Sequence, residues 1–184
     1  MARSFGNAPA KLREYYDPFP GPDEAAFGAA DKLSTNLYGH GLKKVGIVAC
    51  GYSATGWLYA AFSPDLQKAV RTRWNATDKA MADWIGKVTG DTKVWYCRSV
   101  AANIVTTART NPGCAEKKIM SSMCHYGESM TGIAIVEHPE GTESKRLSAH
   151  TPLVSGAGQY IGPCESCKVV YRAYMAPALL AAAM

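Results

Sequence analysis

The chain has 184 residues, 47% of them apolar and 19% charged, which suits one domain with a sizeable core of its own. No low-complexity tract or internal repeat is present, no run approaches the ~20 consecutive apolar residues of a membrane span, and the segment Met1-Ala2-Arg3-Ser4-Phe5-Gly6 lacks a signal-peptide core. The formal net charge of +5 permits a polyanionic partner without demanding one, because a solvated basic surface gives the same sum.

Residues 1–21 are rich in proline, glycine and aromatics and read as an irregular arm ahead of a single domain over 22–184. Pro22-Asp23-Glu24 places acids in a first turn and predicts a helix to about Leu37, stopped at Gly39-His40-Gly41. Two β-rich runs, Lys44 to Tyr52 and Trp57 to Phe62, flank a glycine-containing turn and predict a hairpin. Ser63-Pro64 opens a helix with Leu66, Val70 and Trp74 on one face, and Thr77 caps a continuation with Ala80, Met81, Trp84 and Ile85 as its stripe. Lys93 to Cys97 reads as a strand, while residues 99–109 fit helix or strand equally. From Cys114 a helical period runs through Ala115, Ile119, Met120 and Met123, and Thr131 to Glu137 reads as a buried strand. Residues 138–162 carry enough proline and glycine to predict a long loop, of the kind that commonly serves as a lid or binding loop. Pro163 then starts a helix to about Ala176, since proline is at home in a first turn.

Chemistry concentrates in Cys114-Ala115-Glu116 and Pro163-Cys164-Glu165-Ser166-Cys167. An even count of six cysteines is compatible with disulfides, but a C-x-x-C pair in a chain of this size more often marks metal or redox work. Cys50, Cys97 and Cys124 sit in apolar runs and read as small core residues. Cys164 and Cys167, three apart at a helix start, present both sulfurs on one side, and Cys114 at a second helix start supplies a third. Helix N-termini favour the thiolate form. Catalytic zinc keeps three protein ligands and an open position for water, whose pKa it lowers from 15.7 towards ~7. Glu116, two residues from Cys114, is too close to join the same ion comfortably but can reach that water and move its protons.

These segments resemble the cytidine deaminase-like superfamily over about residues 40–176, most specifically at C-A-E and P-C-x-x-C with a strand between them. The resemblance implies an α/β fold of three α/β/α layers around a central mixed sheet of about five strands. It implies Zn2+ held by Cys114, Cys164 and Cys167, with Glu116 as the proton shuttle, and places Ala115 and Pro163 beside the substrate. Asn103 and Asn111 are candidates for the asparagine that members often set against sugar or base. Three departures stand out: a long spacing between the two motifs, no asparagine–glutamate ribose motif before Cys114, and only Pro177 to Met184 as material for a further strand.

Other readings of the same residues remain open. His138-Pro139-Glu140 also fits H-x-E; otherwise His138 is a loop residue. A fourth ligand, Cys97 or Cys124, would close the site into a structural zinc centre. For substrate, Lys68, Arg71, Arg73 and Trp74 crowd one helix, Lys117 and Lys118 follow Glu116, and Lys145, Arg146, His150 and Tyr160 lie before the second zinc helix. Basic side chains among aromatics suit a groove that tracks a nucleic-acid backbone. The leading expectation is therefore zinc-dependent deamination of cytosine in nucleic acid, DNA favoured over RNA, with the base extruded or unpaired. Similarity to C-terminal toxin domains of bacterial polymorphic secretion systems implies an immunity protein as partner and the cytoplasm of a target cell as the place of action. The alternatives are a deaminase of a free nucleoside or base, and a non-catalytic zinc protein that binds nucleic acid or a partner.

Overall fold

The computed structural model describes residues 15–44, 46–108, 113–138 and 161–175. Asp23 starts the first helix, α1 (Glu24–Gly39), by accepting the Ala26 N–H on its carboxylate at 2.8 Å. The hairpin follows as β1 (Gly46–Ser53) and β2 (Leu58–Phe62), antiparallel from Val48↔Phe62 to Tyr52↔Leu58. Ser63-Pro64 opens α2 (Pro64–Trp74), which ends where Asn75 turns into the left-handed region. Thr77 then caps a separate helix, α3 (Asp78–Thr89), so the expected continuation is a new element. A short strand, β3 (Val94–Tyr96), and a helix, α4 (Ala102–Ala108), come next, which settles the ambiguous stretch as helix. The motif region supplies α5 (Ala115–His125), β4 (Met130–His138) and α6 (Glu165–Tyr174).

The protein is thus α/β, with one mixed sheet in the order β3-β2-β1-β4. β4 pairs antiparallel with β1 from Gly46↔His138 to Gly51↔Ile133, and β3 runs parallel to β2. Among the described residues the sheet has four strands rather than about five, and Pro177 to Met184 lie outside them. Helices cover both faces. A Cβ at Gly51 would sit 3.4 Å from Ile119 and 3.6 Å from Met123, so α5 presses directly on β1 there. The opposite face takes α1, whose Ser34 bonds His138 at the end of β4. No helix among the described residues is long and apolar enough to cross a membrane.

The outer edge of β4 is not left open. Asp23 N–H donates to Ile133 O at 3.0 Å, and Ile133 N–H donates to Pro20 O at 3.2 Å. Two positions on, Ile135 N–H donates to the Tyr16 hydroxyl at 3.2 Å, which itself donates to Ile161 O at 2.9 Å. Ile161 N–H returns to Ile135 O at 3.3 Å. The described part of the expected arm, residues 15–21, is irregular in its backbone but packed on the core: Tyr16 is fully buried, and Phe19 meets Tyr171 of α6 with centroids 4.4 Å apart. The prolines and glycines bend this segment, but its aromatic rings cover apolar surface and its backbone satisfies a sheet edge. Because Ile161 is pinned to β4, the approach to α6 is pinned as well.

His138 is a buried strand residue, not a loop residue, and both ring nitrogens are engaged. The Leu42 carbonyl can only accept, so Nε2–H donates to it at 2.7 Å, while Nδ1 accepts the Ser34 hydroxyl at 2.8 Å. Neither nitrogen is left for a metal, which removes the H-x-E alternative. Burial lowers the pKa of His138 below its ordinary 6.5. The unfolded chain then binds more protons than the folded one just below that value, so this contribution to stability is lost as the pH falls from about 6.5. In urea unfolding, His138→Ala should cost about 2–4 kcal/mol near neutrality. The gap between wild type and variant should narrow towards about pH 5.

Candidate metal centre

Two helix starts build the site. Cys114 is the N-cap of α5 (φ −53°, ψ 144°) and Cys164 the N-cap of α6 (φ −70°, ψ 160°), each extended and neither using its side chain to cap the helix. Cys167 lies in the first turn of α6 and is buried. The three sulfurs lie within 4.8 Å of one another, and those of Cys164 and Cys167 are 3.5 Å apart. Three thiolates bound tetrahedrally at about 2.3 Å to one ion would stand ~3.8 Å apart, so the cluster is close to the required size. A disulfide needs about 2.05 Å, and all six cysteines are free.

Electrostatics agree with that use. Hydrogen bonds from Cys114 and then Cys167 hold the Cys164 thiol far below its ordinary value, with the Lys117 charge adding to the effect. The same sharing raises Cys114 and Cys167, because a second and third negative charge would sit beside the first. Lys117 is fully buried, and its ammonium donates to Ser166 Oγ at 2.8 Å, tying the first turns of α5 and α6 together.

Glu116 is only 6% exposed, and its carboxyl is raised to about 7, first by burial and then by the negative charge on Cys164. A carboxyl with that value can hold or release a proton near neutrality. The next basic residue, Lys118, is also buried; it donates to Phe62 O at 2.6 Å and Gln67 Oε1 at 2.7 Å, and burial lowers it to about 8.

Among the described residues no other cysteine, histidine or carboxylate joins the three sulfurs. Cys97 is buried with its sulfur 3.9 Å from Trp95 O, and Cys124, exposed rather than core, has its sulfur 3.3 Å from Met175 Sδ. Neither expected fourth ligand is part of the cluster.

The remaining candidates divide. Ala115 and Pro163 are buried neighbours of Cys114 and Cys164. Asn103 lies in α4, where its carbonyl accepts the Tyr174 hydroxyl at 3.0 Å and so draws α4 towards α6. Asn111, Lys145, Arg146, His150 and Tyr160 lie outside the described residues. On α2, Lys68 and Arg73 are exposed, while Arg71 pairs with Asp78 at 2.6 Å and Trp74 stacks on Trp84 at 5.8 Å. Lys117 and Lys118 are both buried rather than solvated on an open face. Arg98, overlooked in the sequence because it stands alone after a short strand, reaches Asp78 at 3.5 Å.

No protein-family model, curated protein or solved structure matches this chain. The cysteine cluster stands on its own geometry: three thiol groups able to hold one metal ion.

Purified protein should carry about one metal ion per chain, and Cys114→Ser, Cys164→Ser or Cys167→Ser should each lose it in elemental analysis. Because the raised Cys114 and Cys167 thiols must ionise to bind, loading the metal-free protein near neutrality should release protons. An indicator dye would read that release, and metal affinity should fall as the solution is acidified.

Proposed function

We propose that the protein is a zinc-dependent hydrolytic deaminase that converts cytosine to uracil in nucleic acid, DNA favoured over RNA. The observation carrying this reading is the convergence of Cys114, Cys164 and Cys167 at two helix starts, with the buried, proton-holding Glu116 one residue inside the first turn. Soft thiolates in a tetrahedral-sized cluster suit zinc better than harder divalent ions. When bound there, zinc supplies Lewis acidity that makes water a competent nucleophile at neutral pH. The three-layer deaminase-like arrangement belongs to the same proposal; helices on both faces of the sheet support it.

The residues of the chain divide the remaining work. The three cysteines would hold the ion. Glu116 would accept a proton from the attacking water and deliver it to the ring nitrogen, then take the second proton from the hydroxyl so formed on the ring carbon and pass it to the exocyclic amine, which leaves as ammonia. Its raised pKa suits both directions of transfer, and its buried setting keeps bulk water from competing for the proton. Ala115 and Pro163, small and rigid beside the ligands, form the walls against which an extruded base would lie. As a delivered toxin domain, the protein would act in the cytoplasm of a target cell and be neutralised by an immunity protein.

Single- and double-stranded oligonucleotides containing cytosine, assayed beside free cytidine, test the reading. Uracil should appear in the oligonucleotides, and Glu116→Ala should lower the rate by about 10²–10⁴-fold with metal content unchanged. Undiminished activity in that variant would remove Glu116 from its role. Deamination of cytidine alone would move the substrate to the free nucleoside.

A further inference from the structure

A cleft of about 410 Å³ is lined by Lys68, Arg71, Arg98 and Lys118, with Val100 and Val105 as an apolar wall. It adjoins the metal centre through Gly113, the residue before Cys114, and through Lys118, one turn into α5. Gly113 is packed so closely on Pro64 that a Cβ would come within 2.7 Å of the ring, so the mouth of the cleft needs glycine there.

We propose that this cleft is a subsite for a phosphate ester of the substrate, next to the base held at the metal. Four cationic side chains line it among the described residues, and two of them, Arg71 and Arg98, share Asp78 at 2.6 and 3.5 Å. One carboxylate between two guanidiniums aligns them and leaves the cleft with an excess of positive charge. Guanidinium groups held in this way match a phosphate, which accepts several charge-assisted bonds. Lys118 spends two of its three N–H groups on Phe62 O and Gln67 Oε1, and the third remains. The volume exceeds that of a phosphate alone and falls within the ordinary range for small-ligand sites, roughly 300–1,000 Å³. The apolar wall gives the attached sugar a surface to lie on.

The assignment rests on the deaminase reading only in taking the phosphate as part of that substrate, so binding and turnover should be measured separately. Lys68 and Arg98 are exposed, and replacing both by alanine leaves the core intact. The double variant and the wild-type chain would be titrated with a fluorescent single-stranded deoxyoligonucleotide containing one cytosine, and with deoxycytidine 5′-monophosphate against deoxycytidine. A control would carry Lys87→Ala and Lys93→Ala, both exposed and outside the cleft. Oligonucleotide affinity should fall at least ~10-fold in the cleft variant, the slope of log K against log salt should drop by about 1–2, and the control should stay within about 2-fold. Preference for the monophosphate over the nucleoside, erased in the cleft variant, would assign a monoester; binding of the oligonucleotide alone would assign a phosphodiester. Equal affinity in wild type and cleft variant, or an equal loss in the control, overturns the proposal. Loss of binding in the cleft variant without wild-type deamination would keep the subsite and remove the chemistry. Wild-type deamination with KM unchanged in the cleft variant would keep the chemistry and remove the subsite.

Discussion

Sulfur atoms from two separate helix starts occupy one small volume, and the surrounding architecture can be followed outward from that meeting. Three thiolates in contact would repel one another strongly, and burying them would add a desolvation cost that no nearby carboxylate could relieve. Hydrogen bonding among the sulfurs lowers the Cys164 thiol and raises those of Cys114 and Cys167, so a second ionisation is opposed by the first. Only a cation can hold all three in the ionised state. Lys117, bonded across to Ser166, places a buried ammonium that eases the negative charge on Cys164 without entering the cluster.

Holding that volume closed requires the two helices to approach in a fixed register. α5 is set by the sheet, where Gly51 lets Ile119 and Met123 press against β1. α6 is set by the outer edge of β4, through the chain of bonds that joins Tyr16, Ile135 and Ile161. A segment near the start of the chain therefore positions ligands near its end. The Tyr16 hydroxyl is the hinge of this arrangement, accepting from one strand and donating to the segment that leads into α6.

Much of the fold was readable from local patterns, because caps and alternation act over a few residues. Asp23 and Thr77 mark helix starts by the geometry their side chains satisfy, and the two β-rich runs around Gly56 pair as their spacing implies. The stretch after β3 was unreadable for the opposite reason: its apolar residues fit both periods, and packing against α6 decides for helix. Lys117 and Lys118 misled by their type, since lysines are ordinarily solvated. Here they are buried because α5 is enclosed on nearly every side, and their ammonium groups find acceptors on neighbouring elements.

The sequence by itself determined the ligand chemistry: which side chains can offer sulfur, that two of them share a helix turn, and that a carboxylate follows the third by two residues. These are properties of spacing along one element, and they survive without knowledge of the partner elements. Only the tertiary structure decided that the third sulfur joins the other two, that His138 is consumed by Ser34 and Leu42, and that Arg98 and Lys118 converge with Lys68 and Arg71 on one cleft. Those outcomes depend on contacts between residues tens of positions apart, where sheet register and helix docking, not local preference, set the distance.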